Sequence, residues 1–204
     1  WWIAPGEDVN TAADTDTQPI WIWQGIDFRN LGWVALALGV MIFAIITSHD
    51  WLLRFVHVST GVLLTGADIL LGFLIGPVVR RLSFEGRRGF TLGMLPKTLF
   101  IMTTLGIIAP TSGWYLAAHL GYLEFGYPEF WWVIGALTIA AILGIQGLLI
   151  LLPANLRAYL EMRKPEPDKE KVGRIMRLYF YTTASQGVMQ IMIVVIMAKF
   201  ASGI

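Results

Sequence analysis

Arg54, His57 and Asp68 lie inside one long apolar segment, residues 51–81. Ionisable groups at membrane depth are costly, and those that persist serve pathways, cofactors or counter-ions. An imidazole there can ligate a metal through a ring nitrogen, and a carboxyl can hold a proton. Arg54, His57, Gly61, Thr65, Asp68 and Gly72 follow one another at intervals of three or four residues, so they share one helix face. The remaining faces are Leu, Val, Ile and Phe. The polar stripe is expected to look into protein, towards a cofactor, an ion or a neighbouring helix.

The chain has three histidines, His49, His57 and His119. His57 falls about 9 Å into its span at 1.5 Å per residue. His49 stands in the link before that span and His119 at the end of the next, so all three lie towards one membrane face. Two spans that present imidazoles at similar depth can hold a b-type haem, with His57 and His119 as axial ligands. Gly61 would leave room for a flat macrocycle and Arg54 would pair with a propionate. Copper is the alternative, bound by His49, His57 and His119, with Asp50 as an oxygen ligand. The plain reading is that His57 makes a helix–helix hydrogen bond and that His49 and His119 are solvated at the interface.

A second polar set lies towards the other face. It comprises Asp68, Lys97, Gln146, and Thr182, Gln186 and Gln190 at intervals of four. It suits a proton or ion path or a quinone headgroup, with Asp68 as a proton-linked group. The plain alternative is a snorkelling lysine and glutamines that join helices.

These groups must be positioned by membrane helices. Hydrophobic residues make up 56% of the 204 and charged residues 14%, well below the charged share of soluble domains. Five apolar stretches, 31–48, 51–79, 95–120, 130–152 and 175–200, approach the length that crosses a bilayer. The fold class is all-α, a polytopic transmembrane bundle of about five spans over residues 31–204. Residues 1–30 form a polar segment with an interfacial anchor, Ile20-Trp21-Ile22-Trp23. Gly72 and Gly76 form a small-xxx-small packing motif, Pro110 should kink the third span, and no internal repeat is evident. Basic residues cluster at 80–97 and 157–177. The positive-inside rule puts both clusters and the N-terminus in the cytoplasm and the C-terminus outside, as in a bacterial inner-membrane protein.

With no cysteine, thiolate metal sites, iron–sulfur clusters and covalent c-type haem are excluded. A net charge of +1 gives no sign of a nucleic-acid partner. P-loop, dinucleotide and serine-nucleophile motifs are lacking, and the loops are too short for a catalytic domain.

The run Arg54-Phe55-Val56-His57-Val58 with Gly61 and Gly66 resembles the R-[FW]-x-H-V-x-x-G opening of small multi-span membrane proteins of the CopD-like and urate-hydroxylase type. The stretch MTTLGIIAPTSGW that ends at Trp114 is similar to the helix that follows in such proteins. The resemblance covers the second to fourth spans. It implies a helical bundle with a haem or copper site that uses His57.

The expected function is therefore a subunit that binds b-type haem, or less readily copper, near the outer leaflet and passes electrons within a redox complex. The alternative is a cofactor-free accessory subunit that scaffolds a membrane assembly. A transporter is disfavoured at this level because no two spans show matched breaks.

Overall fold

A computed structural model describes residues 29–203. It contains five long helices: α1 (Asn30–Thr47), α2 (Asp50–Arg81), α3 (Phe84–His119), α4 (Phe130–Met162) and α5 (Lys169–Ala201). Among the described residues there is no strand. Each helix is long and apolar enough to cross a membrane, so the chain is an all-α integral membrane protein. The expected anchor at residues 20–23 lies outside the described residues.

The helices overrun the predicted spans at the end that carries the basic clusters. Residues 80–88 and 155–163, expected as loop, are largely helical. Hydropathy reports only the part in lipid, whereas helix formation continues until a cap or a breaker stops it. Ser83 caps α3 by accepting from Gly86 N at 3.2 Å, and Asp168 caps α5 by accepting from Lys171 N at 3.0 Å. At 36 and 33 residues, both exceed the roughly 20 that a bilayer needs.

Helices α2, α3, α4 and α5 close into a ring in which each packs on the next and neighbours run antiparallel. The diagonal pairs, α2 with α4 and α3 with α5, do not pack on each other. Helix α1 lies outside the ring, against α2 and α3. Met41, Ala44, Leu53, Val56, Ile108 and Leu116 form the apolar core where these three meet. Ala136, Ile139 and Ile196 form a second core between α4 and α5. Leu36, Phe43, Val62, Phe73 and Leu149 are exposed, the surface that lipid covers.

Helices α2 and α4 share a break. In each, six residues wind as a wide π-turn, Leu70–Ile75 and Gln146–Leu151. Each π-turn is followed by a proline, Pro77 or Pro153. Gly76 N donates to Leu71 O and Leu152 N to Gly147 O, five residues back instead of four. Proline supplies no N–H and its ring collides with the carbonyl four residues earlier. Widening the turn relieves that collision without ending the helix. Each broken helix then leads to a capped ascending helix, so α2–α3 and α4–α5 follow one plan. The matched breaks that the sequence did not reveal are thus present. Helix α3 runs on through both Pro96 and Pro110 without a break in its helical winding.

Helix α5 fits against both π-turns. A Cβ at Gly72 would lie 3.5 Å from Thr183 Cγ2, and one at Gly76 would lie 3.1 Å from Phe180 Cε1. The small-xxx-small motif therefore does serve close packing, and its partner is α5. At the basic end, buried Glu161 joins Lys164 Nζ at 2.8 Å and Lys171 Nζ at 2.7 Å. Arg88 ties the start of α3 to the end of α4 through Met162 O (2.9 Å) and Lys164 O (2.8 Å). These polar ties fix the ends that project beyond the lipid.

Overpacking should test the α2–α5 contact. Gly76→Val pushes a larger side chain into Phe180, and the expected loss is about 1–3 kcal/mol of stability. Thermal unfolding in detergent should register it, with Gly89→Val, where a Cβ meets nothing within 4 Å, as the silent control.

Candidate functional site

The polar stripe of α2 meets two helices in succession. At His57 it faces α3; at Asp68 and Gly72 it faces α5. Arg54, at the stripe's end, is exposed, and among the described residues it forms no ion pair. The stripe is expected to look into protein along its whole length, but at Arg54 the helix turns that position towards the surroundings.

The His57 imidazole lies over the backbone of α3. Its Nδ1 is 2.9 Å from Ala109 O. A carbonyl only accepts, so Nδ1 carries the hydrogen, and a neutral ring so held has its lone pair on Nε2. Gly113 provides the seat: a Cβ there would be 2.6 Å from His57 Cε1 and 2.9 Å from Nδ1, too close for any side chain. Fully buried Ser112 donates to Ile108 O at 2.6 Å and to Ala109 O at 3.2 Å, next to Pro110. Ala109 O thus receives both Ser112 and His57. A Cβ at Gly61 would meet nothing within 4 Å, so open space remains one turn from His57.

His119 does not join His57. Its Nε2 lies 2.6 Å from Asp50 Oδ1, which ties the last residue of α3 to the first turn of α2. His119 is six residues beyond Gly113, about 9 Å along the helix. His119 and Asp50 are both exposed, at 36% and 62%, and such a pair contributes roughly 0–1 kcal/mol. His49 is exposed at the N-cap of α2, and no side chain cap hydrogen bond forms there. The three histidines do share one end of the bundle, as parity implied. Among the described residues, however, no three of His, Asp and Glu gather as a metal cluster.

The second polar set is drawn together around α5. Gln190 Nε2 donates to Asp68 Oδ2. Gln186 Nε2 donates to Leu143 O at 3.2 Å, and Gln146 Nε2 to Ser185 Oγ at 3.4 Å. Thr182, Thr183, Gln186 and Gln190 are buried. Tyr179 lies against Asn155 and Thr183 and within electrostatic reach of Asp68. Lys97 is exposed and takes no part. Thr183, Tyr179 and Asn155 were not among the sequence candidates. The spacing of Tyr179, Thr183, Gln186 and Gln190 by four, three and four marks the face they share.

No family model, curated protein or solved structure matches the chain.

Gly113→Ala should displace His57 from Ala109 O. The expected loss is about 1–3 kcal/mol, the range for overpacking or a buried donor left unpaired. Thermal unfolding of Gly113→Ala, His57→Gln and the double variant tests it: the double variant should lose less than the sum of the two single losses.

Proposed function

We propose that the chain is an electron-transfer subunit of a membrane redox complex and holds a b-type haem through His57. The observation that carries this reading is the His57 ring, held by Nδ1–H on Ala109 O, with no hydrogen bond to Nε2 among the described residues. Ligating histidines characteristically donate their other ring N–H to a carbonyl or carboxylate, which fixes tautomer and orientation. The glycine at position 113 seats the His57 ring itself, and the open space beside Gly61 suits a flat group near this ring. Haem supplies one-electron chemistry when bound; His57 fixes its position, and exposed Arg54 is the cation available to a propionate. His119, tied to Asp50, is not assigned as the second axial ligand. This chain supplies one ligand, and any other comes from a partner subunit. Under the positive-inside rule the basic end and the N-terminus are cytoplasmic, in a bacterial inner membrane, and the histidine end faces outward.

A second reading, a cofactor-free accessory subunit, is favoured by the same contacts seen differently. His57 and His119 each already join α2 to α3, so both can be accounted for as helix clasps.

A reduced-minus-oxidised spectrum separates the two, recorded on detergent-purified chain expressed with added haem precursor and analysed for metals. The haem reading predicts a b-type α band that His57→Ala abolishes and His119→Ala retains. A colourless, metal-free protein would contradict it and leave the accessory role. Stoichiometric copper without haem would move the site to His49, Asp50 and His57.

A further inference from the structure

Among the described residues, three buried side-chain oxygens meet no hydrogen-bond geometry: Gln190 Oε1, Gln146 Oε1 and Thr183 Oγ1, whose neighbour is Tyr179. Gln190 is 3% exposed and Thr183 5%. A buried polar atom without a partner is unfavourable, and doubly so where lipid supplies none. These atoms are not scattered. Thr183 and Gln190 lie seven residues apart on one face of α5, about 10 Å at 1.5 Å per residue. Gln146 opens the π-turn of α4 and reaches Ser185 on the same stretch of α5. Asp68 stands at the Gln190 level, and Tyr179 lies one turn beyond Thr183 towards the basic end.

The kind of atom left over narrows the occupant. The amide nitrogens of Gln146, Gln186 and Gln190 already point at protein oxygens. A ligand that only accepts, such as a quinone carbonyl, would leave the unpaired glutamine oxygens unanswered. A cation cage fits no better. Its oxygens would surround one point, whereas these are strung along a helix, and what meets Asp68 Oδ2 is an amide N–H. Water satisfies a row of separated acceptors, because each molecule donates twice and accepts as well. A file of about three waters at ordinary O–H···O spacing would span the roughly 10 Å from Thr183 to Gln190.

We infer that Asp68 is a proton-exchanging carboxyl, reached from the basic end through a file of water along the Tyr179–Thr183–Gln190 face of α5. A hydrated proton passes along the file and binds an Asp68 carboxylate oxygen, leaving a neutral carboxyl and water. Release is the reverse, and no electron moves. The groups facing Asp68 on α5 are Gln190 and Tyr179. Helix α1 bears no charged residue, the Lys97 ammonium of α3 is exposed, and His57 lies three turns away on α2. The two π-turns fit the role, since α5 packs on both and its polar face lies where the two broken helices approach it. This inference does not depend on haem at His57.

Infrared difference spectroscopy of the chain in proteoliposomes, after a pH step in H2O or D2O, tests it. The expected signal is a protonated-carboxyl C=O band that shifts in D2O, moves in frequency in Asp68→Glu and vanishes in Asp68→Asn. Thr183→Val, which removes a water partner at constant shape, should slow deuterium exchange of that band by about tenfold or more, and Thr183→Ser should restore it. A band that is absent at every pH would overturn the inference, as would exchange indifferent to Thr183→Val. Displacement of the band by NaCl but not by choline chloride would overturn it in favour of a cation site.

Discussion

Hydrocarbon offers no hydrogen bonds, so a polar group carried into the bundle has to be answered by another part of the protein or by water. That constraint organises α2, the helix with the most ionisable groups at depth. His57 is answered by a backbone carbonyl of α3 and Asp68 by an amide of α5. The two answers lie on the two neighbours that flank α2 in the ring. Apolar contact alone would leave rotation of α2 weakly specified, because lipid and side chains are equally apolar. One clasp to each neighbour fixes that rotation and sets the stripe inward from His57 to Gly76.

The same helix also explains the ring's shape. Pro77 and Pro153 each force a wide turn rather than a stop, so α2 and α4 continue to the basic end while offering α5 a looser, glycine-bearing surface. Gly72 and Gly76 admit Thr183 and Phe180, and Gly147 admits Gln186. Polar side chains of α5 thereby reach the middle of the bundle. Chemistry divides along the axis: an imidazole with an available nitrogen near the histidine end, and a carboxyl beside unpartnered oxygens further in. The ion pairs of Glu161 and the Arg88 ties close the structure where water can reach it.

Much of this was legible in the sequence for definite reasons. Apolar length gave the five helices, and parity put the histidines at one end. The three-to-four spacing identified the stripe and the Thr182, Gln186, Gln190 face. Other features leave no trace in a single sequence. The partner of His57 is a main-chain oxygen, which every residue possesses. The role of Gly113 depends on what lies above it. The π-turns escaped because a proline after a wide turn reads like a proline within or after any helix. Arg54 was assigned inward by spacing alone, yet a stripe cannot show where a helix end leaves its neighbours. Glu161 has Lys164 three residues along in the sequence, and the fold adds Lys171.

The account rests most heavily on the His57–Ala109 hydrogen bond, because it both fixes α2 against α3 and leaves Nε2 free for a ligand. Nitrogen-15 NMR of histidine-labelled protein in bilayers, without added cofactor and with His57 assigned through His57→Gln, reads it directly. The account predicts a neutral His57 with its hydrogen on Nδ1, a state that Gly113→Ala should disturb. A His57 that carries its hydrogen on Nε2 would contradict the clasp and the ligand role built on it.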